Sequence, residues 1–174
     1  MSALLASPQT RRQAFEALVR QYSEQLYWQI RRIVLVHEDA DDILQNVFIK
    51  AWNSLDSFRH DSKLSTWLYR IAVNESLDFR RKQKSRLRIS ADMDPTVSSR
   101  LAADRYFDGD RTQLLLQEAI ERLPDVQRTV FSLRYFDEMK YSEMSQVLKT
   151  SEGALKASYH IAVKKIADFF KAHD

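Results

Sequence analysis

YSEMSQVLKTSEGALKASYHIAVKKI, residues 141–166, decides how the C-terminal half of this chain is read. Met144, Val147 and Leu148 keep three-and-four spacing over 141–149, which predicts a short amphipathic helix. Thr150 and Ser151 form a turn, and Ser151 is placed to cap a longer helix over 152–170. That helix turns Leu155, Tyr159, Ala162, Val163 and Ile166 inward and shows Glu152, Lys156, Ala157, Ser158 and His160 outward near its start. A short helix, a tight turn and a capped longer helix with polar first turns have helix-turn-helix geometry. In that geometry the N-terminal end of the second helix enters the DNA major groove. A plain helical hairpin is the competing reading.

Working outward, TQLLLQEAIERL (112–123) reads as a helix stopped by Pro124, and DVQRTVFSLRYF (125–136) as a second with Asp125 as its cap. The N-terminal half is helical too. Phe15, Leu18, Val19, Tyr22, Leu26, Ile30, Ile33 and Val34 make one long amphipathic helix over 12–36. In DADDILQNVFIKAW (39–52), Ala40, Ile43, Leu44, Val47, Phe48, Ala51 and Trp52 repeat that spacing. Asp39 is placed to cap the segment, and Asp41 and Asp42 suit the positive end of its dipole. Its opposite face holds Asp42, Gln45, Asn46, Ile49 and Lys50, and an apolar Ile49 among polar neighbours leans toward a protein contact. After a polar loop over 53–64 that embeds Phe58, Ser65 or Thr66 starts a helix with Trp67, Leu68, Ile71, Ala72 and Leu77 inward. Aromatic rings interleaved with basic and amide groups fit a platform for single-stranded nucleic acid, because rings stack on bases and cations hold phosphates. The competing reading keeps Trp67 and Phe58 in an ordinary core.

Composition limits the class. Two glycines and three prolines in 174 residues, with 44% hydrophobic residues, leave few positions for β-turns, so the fold should be all-α. The absence of cysteine excludes a disulfide framework or thiolate metal site and fits a reducing cytoplasm. Neither a signal peptide nor a membrane-spanning run is expected. The net charge of +3 says little, but its distribution says more. Residues 81–90 hold five basic side chains and no acidic one, whereas 91–125 hold eight acidic against four basic. With Pro95, a serine pair and a glycine between, this marks a linker. The reading is two small helical domains, 1–84 and 111–174, joined by a flexible linker over 85–110, the second domain being helix-turn-helix.

These motifs together resemble the extracytoplasmic-function sigma factors, the smallest class of bacterial RNA polymerase sigma subunits, over nearly the whole chain. DADDILQNVFIKAW is similar to the family's acidic start followed by Gln, Phe and Trp. Phe58, STWLYRIAVN (65–74), Asp78, Arg80 and Arg81 follow its next pattern, and LPDVQRTVF (123–131) and YSEMS (141–145) the last two. The resemblance implies that Asp42, Gln45, Asn46 and Ile49 bind core RNA polymerase. It implies that Asn53, Phe58, Lys63, Trp67 and Arg70 hold the unwound minus-ten strand of promoter DNA. Ser151, Lys156, Ala157, Ser158, His160 and Ile161 would face the minus-thirty-five element. An anti-sigma factor is the further partner implied, and the acidic residues Asp92, Asp94, Asp104, Asp108 and Asp110 would lie in polymerase channels. Two departures stand out. Lys149 occupies a turn position where the family often has Gly, which implies a left-handed residue under modest strain. Ile161 replaces a usual Arg, so readout would lean on Lys156, backbone amides and DNA shape.

No cofactor, metal site or catalytic residue is expected. His37, His60, His160 and His173 lack ligand spacing, and no phosphate-binding glycine loop or nucleophile arrangement occurs. The rival function is a helix-turn-helix regulator that binds duplex DNA without polymerase and has no use for the aromatic loop.

Overall fold

The computed structural model describes residues 5, 7–58, 62–87 and 109–173. Among these the chain forms seven α-helices and no strand. Helix α1 (Arg11–Val34) stops where Leu35 turns left-handed at φ 72°, its N–H bonding back to the Arg31 carbonyl at 2.9 Å. Helix α2 (His37–Ser54) follows at once and starts earlier than its sequence suggests. Val36 takes the cap position without a side-chain bond, so Asp39 lies inside the first turn beside Glu38 instead of capping it. A 3-10 turn (Leu55–Ser57) leads toward α3 (Leu64–Leu87).

The second half begins with α4 (Arg111–Glu121), which Asp110 caps by accepting the Gln113 N–H at 3.0 Å. Helix α5 (Asp125–Tyr135) is preceded by Pro124 in the cap position, with extended ψ of 149°. Asp125 is therefore not the cap: it sits in the first turn, its carboxylate engaged by cations. A turn through Glu138, at φ 50°, leads into α6 (Tyr141–Leu148). Lys149 then takes the left-handed conformation at φ 52°, as its place in the turn implies, and α7 (Glu152–His173) runs to the C-terminal end. Ser151 caps α7, its Oγ accepting the Ala154 N–H at 3.2 Å.

Helices α1, α2 and α3 pack around Leu18, Leu26, Ile30, Val47, Leu68 and Ala72, all without solvent exposure. A second core joins Ile120, Leu123 and Phe131 to Ala162 and Ile166 of α7. The two lobes do not stand apart. Val130, Leu133, Met139, Met144 and Leu155 belong to the same buried cluster as the α1–α3 core. For that reason the C-terminal half of α1 is buried around most of its circumference, including the polar residues Gln29, Arg31 and Arg32.

Two residues assigned inward face out. Val163 is 40% exposed and Trp52 38%. The α7 seam runs through Leu155, Ala162 and Ile166, and Val163 lies about 100° round the helix from Ala162, beyond the reach of the covering helices. Ser158, three residues after Leu155 and four before Ala162, lies on that seam and is half-buried instead of outward. Most of the 85–110 segment, including Asp92, Asp94, Asp104 and Asp108, lies outside the described residues, as does His60.

Candidate nucleic-acid interface

Three surfaces carry the side chains of interest. On α2, Asp42, Gln45, Asn46 and Ile49 follow three-and-four spacing and are all exposed, Ile49 to 58%. Helical geometry puts them on one face, opposite the buried Ile43, Leu44 and Val47. Trp52 extends this face by a further three residues. The Arg11 guanidinium lies 5.2 Å from its ring centroid and the Phe15 ring 5.1 Å away, while Arg11 also pairs with Asp56 at 2.9 Å. The apolar periodicity of α2 concealed Trp52, because a stripe about 100° wide leaves its edge residues half in solvent.

The second surface lies at the α2–α3 junction. Phe58 and Trp67 pack with ring centroids 5.1 Å apart and planes tilted by 43°. Both are half-buried and rest against the α1–α3 core. They pack against the core without being fully buried, so the core reading does not exclude the platform reading. Asn53 and Lys63 are exposed nearby in sequence, and Arg70 lies one turn along α3 from Trp67. Arg70 reaches the opposite lobe, its Nη2 3.5 Å from Gln146 Oε1 on α6. It lines a cleft of about 900 Å³ between the lobes, with Lys50, Asn74, Arg81 and Lys84 on one side and Lys149 on the other.

The third surface is the start of α7. Ser151, Lys156, Ala157, His160 and Ile161 are exposed, Ile161 to 47%. The Lys156 ammonium lies 5.6 Å from the centroid of the Tyr141 ring, which also receives the Arg134 guanidinium at 5.0 Å. Beneath, Tyr159 stacks on Phe131 with centroids 5.7 Å apart and planes within 13°, anchoring α7 to α5. Tyr141 escaped the sequence reading because its role comes from a contact across the turn and not from helical spacing.

Between these surfaces run ion pairs that join the lobes. Asp137, in the turn after α5, accepts from Gln29 at 3.2 Å and from Arg32 at 3.3 Å. Burial, only partly offset by Arg32 and Gln29, raises the Asp137 pKa above the usual carboxylate value. Burial likewise lowers that of Arg32, whose guanidinium also lies 4.1 Å from the Phe136 ring centroid. Glu121 approaches Arg31 at 3.9 Å, and burial raises its pKa. At the other end, Asp125 takes Arg80 at 2.7 Å and Lys84 at 2.5 Å from α3, and Arg128 at 2.5 Å from its own helix. Burial would raise the Asp125 pKa, but the hydrogen bonds from Lys84 and Arg80 outweigh it and hold the carboxyl well below its usual range.

Comparison with known proteins places these surfaces in context. Residues 18–86 match the family model of sigma-70 region 2, and residues 113–166 that of sigma-70 region 4. The ECF RNA polymerase sigma factor SigW of Bacillus subtilis is 35% identical over 156 residues, covering 84% of this chain and 83% of that protein. The ECF RNA polymerase sigma-E factor of Escherichia coli K12 is 32% identical over 154 residues, 83% of this chain and 80% of its own. Among solved structures, CnrH in complex with the cytosolic domain of CnrY aligns with a TM-score of 0.68 at 25% identity, over 99% of this chain and 96% of that one. The fold also matches the sigma factor RpoE from Bartonella quintana, bound to the anti-sigma factor NepR, with a TM-score of 0.71 at 21% identity over 91% and 97% of the two chains.

Proposed function

The chain belongs to the extracytoplasmic-function sigma factors of the sigma-70 family, and from that membership we propose how its three surfaces divide the work of starting transcription. The protein binds core RNA polymerase, directs it to promoter DNA and initiates transcription. The exposed α2 face, with Asp42, Gln45, Asn46 and Ile49, docks on the polymerase. The α2–α3 junction holds the unwound minus-ten strand: Phe58 and Trp67 offer ring faces to bases, while Asn53, Lys63 and Arg70 hold its polar edges and phosphates. The start of α7 enters the major groove of the minus-thirty-five element through Lys156, Ala157, His160 and Ile161, with Ser151 toward the backbone, while Ser158 stays in the packed seam. The domains assigned to these tasks are 1–84 and 111–174, linked by 85–110.

The observation that carries this reading is a single chain with a half-open aromatic pair flanked by cations at one place and a capped helix-turn-helix with an exposed start at another. Trapping extruded bases offsets the cost of strand opening without nucleotide hydrolysis, at roughly 1–3 kcal/mol per stacked base. Duplex contacts supply position. The chain acts as a DNA-binding regulatory subunit and contributes no catalytic group. It works in the cytoplasm, where polymerase and promoter are, and an anti-sigma factor controls it, as the similarly folded RpoE from Bartonella quintana is seen bound to one. No helix among the described residues is long and apolar enough to cross a membrane.

Run-off transcription with purified core polymerase, this protein and a promoter library, without an ATPase to drive melting, tests the function. Transcripts that start at a common two-element promoter are expected. Silence, together with tight duplex binding by the protein alone, would identify a polymerase-independent regulator.

A further inference from the structure

The cleft between α3 and the turn that precedes α7 is lined by six cations against three carboxylates. Most of these cations are paired: Lys50 with Glu75, Arg81 with Asp78, and both Arg80 and Lys84 with Asp125. Arg70 and Lys149 are different. Among the described residues neither has a carboxylate partner, and Arg70 makes only the 3.5 Å contact with Gln146 while its Nε is buried without a hydrogen bond. They line the cleft from opposite walls, Arg70 from α3 and Lys149 from the turn. Two cations that share a cleft repel each other, so the arrangement favours an anion between them. An observation independent of charge points to the same side chain: Lys149 is kept at φ 52°, where glycine would sit without strain.

We propose that this cleft binds a small phosphate-bearing polyanion, of the size of a mononucleotide or a short polyphosphate, between Arg70 and Lys149. The chemistry of the two walls sets the class. Arg70 offers a planar fork suited to phosphate oxygens, and Lys149 a point charge that meets a second phosphate group from the other side. Asn74, Gln146 and Thr150 add neutral hydrogen-bonding groups, and the exposed Val126, with Val147 and Leu148, supplies an apolar side. The volume of about 900 Å³ suits a small molecule and not a folded domain. The site belongs to the free chain and to small anions, so it goes beyond the sigma-factor reading and stands or falls separately from it.

Isothermal titration of the free, full-length protein with sodium tripolyphosphate and with a nucleoside triphosphate, in magnesium-free buffer of fixed ionic strength, tests the site. Saturable binding of one anion per chain is expected. Lys149→Gly should weaken it on the order of tenfold, and Arg70→Gln by a similar factor, since each removes one charged donor. Because Lys149→Gly relieves backbone strain, a loss of binding in that variant does not come from unfolding. Lys164→Gln removes the same charge from an exposed place on α7 outside the cleft and should leave the affinity within about twofold. Unchanged affinity in either cleft variant, equal weakening in Lys164→Gln, or no binding up to about 1 mM would overturn the site. Tighter binding of the nucleoside triphosphate than of tripolyphosphate supports a nucleotide whose base rests on the apolar side, and the opposite order supports an inorganic polyphosphate. Run-off activity is read separately, so an active protein that binds neither anion would lose the site and keep the sigma function.

Discussion

Lys149 holds a left-handed backbone at φ 52° in the turn that sets the angle between α6 and α7. A side chain in that region is strained, and glycine is not. Lys149→Gly should therefore raise stability by about 0.5–1 kcal/mol, read as a higher midpoint in urea with an unchanged slope. A fall in the midpoint would mean that the lysine side chain stabilises the cleft it lines. Lys156 has a different place, since its ammonium lies over Tyr141 in a cation–π contact worth about 0.5–1 kcal/mol at an exposed site. Lys156→Ala should weaken binding of a minus-thirty-five duplex and relax its sequence preference. It should also reduce the slope of log affinity against log salt by about one, measured by anisotropy on the holoenzyme. An unaltered slope would place the lysine away from phosphate.

At the scale of elements, the role proposed for the α2–α3 junction would tie stability to function, because Phe58 and Trp67 pack against the core and are only half-buried. Trp67→Ala should cost the open complex roughly 1–3 kcal/mol relative to the closed one, while Trp67→Phe should retain most of it. Permanganate reactivity of the melted strand, set against closed-complex binding, reads the difference. Equal loss in both complexes would reduce Trp67 to a packing residue. Helices α5, α6 and α7 and the Ser151 cap could be read from periodicity and turn chemistry, since each is a local property of a few successive residues. The burial of Gln29, Arg31 and Arg32 could not. Their partners lie about a hundred positions away in the chain, and no spacing rule marks a polar residue on α1 for an ion pair with the turn after α5. Boundaries slipped where two cap candidates competed: Pro124 displaced Asp125, and Val36 displaced Asp39.

For the whole molecule, the contact between the lobes includes carboxylates whose titrations run in opposite directions. Burial favours the protonated form of Asp137, against Arg32 and Gln29, and the Tyr69 phenol feels the same charge. A carboxyl whose pKa is raised in the folded state stabilises that state most fully below its unfolded value. The contribution is lost as pH rises through the folded one. Asp125, with a depressed pKa, contributes above the unfolded value and is lost only in strong acid. Between about pH 4 and 7, the urea midpoint should therefore fall modestly with rising pH in the wild type and fall less in Asp137→Asn, where among the described carboxylates only Glu121 and Asp39 still titrate with raised pKa. A wild-type profile as flat as the variant's would remove Asp137 from the balance.

The buried flank of α1 has a consequence for the life of the protein in a cell. Once the lobes part, Tyr27, Ile30 and Ile33 lose the covering that Val130 and Leu133 help to provide, and apolar surface is bared to chaperones and proteases. The intracellular half-life of the Asp125→Asn chain should accordingly shorten, because Arg80, Lys84 and Arg128 lose the carboxylate they share across the lobe contact. Pulse-chase labelling would show this, and equal half-lives for the variant and the unsubstituted chain would refute it.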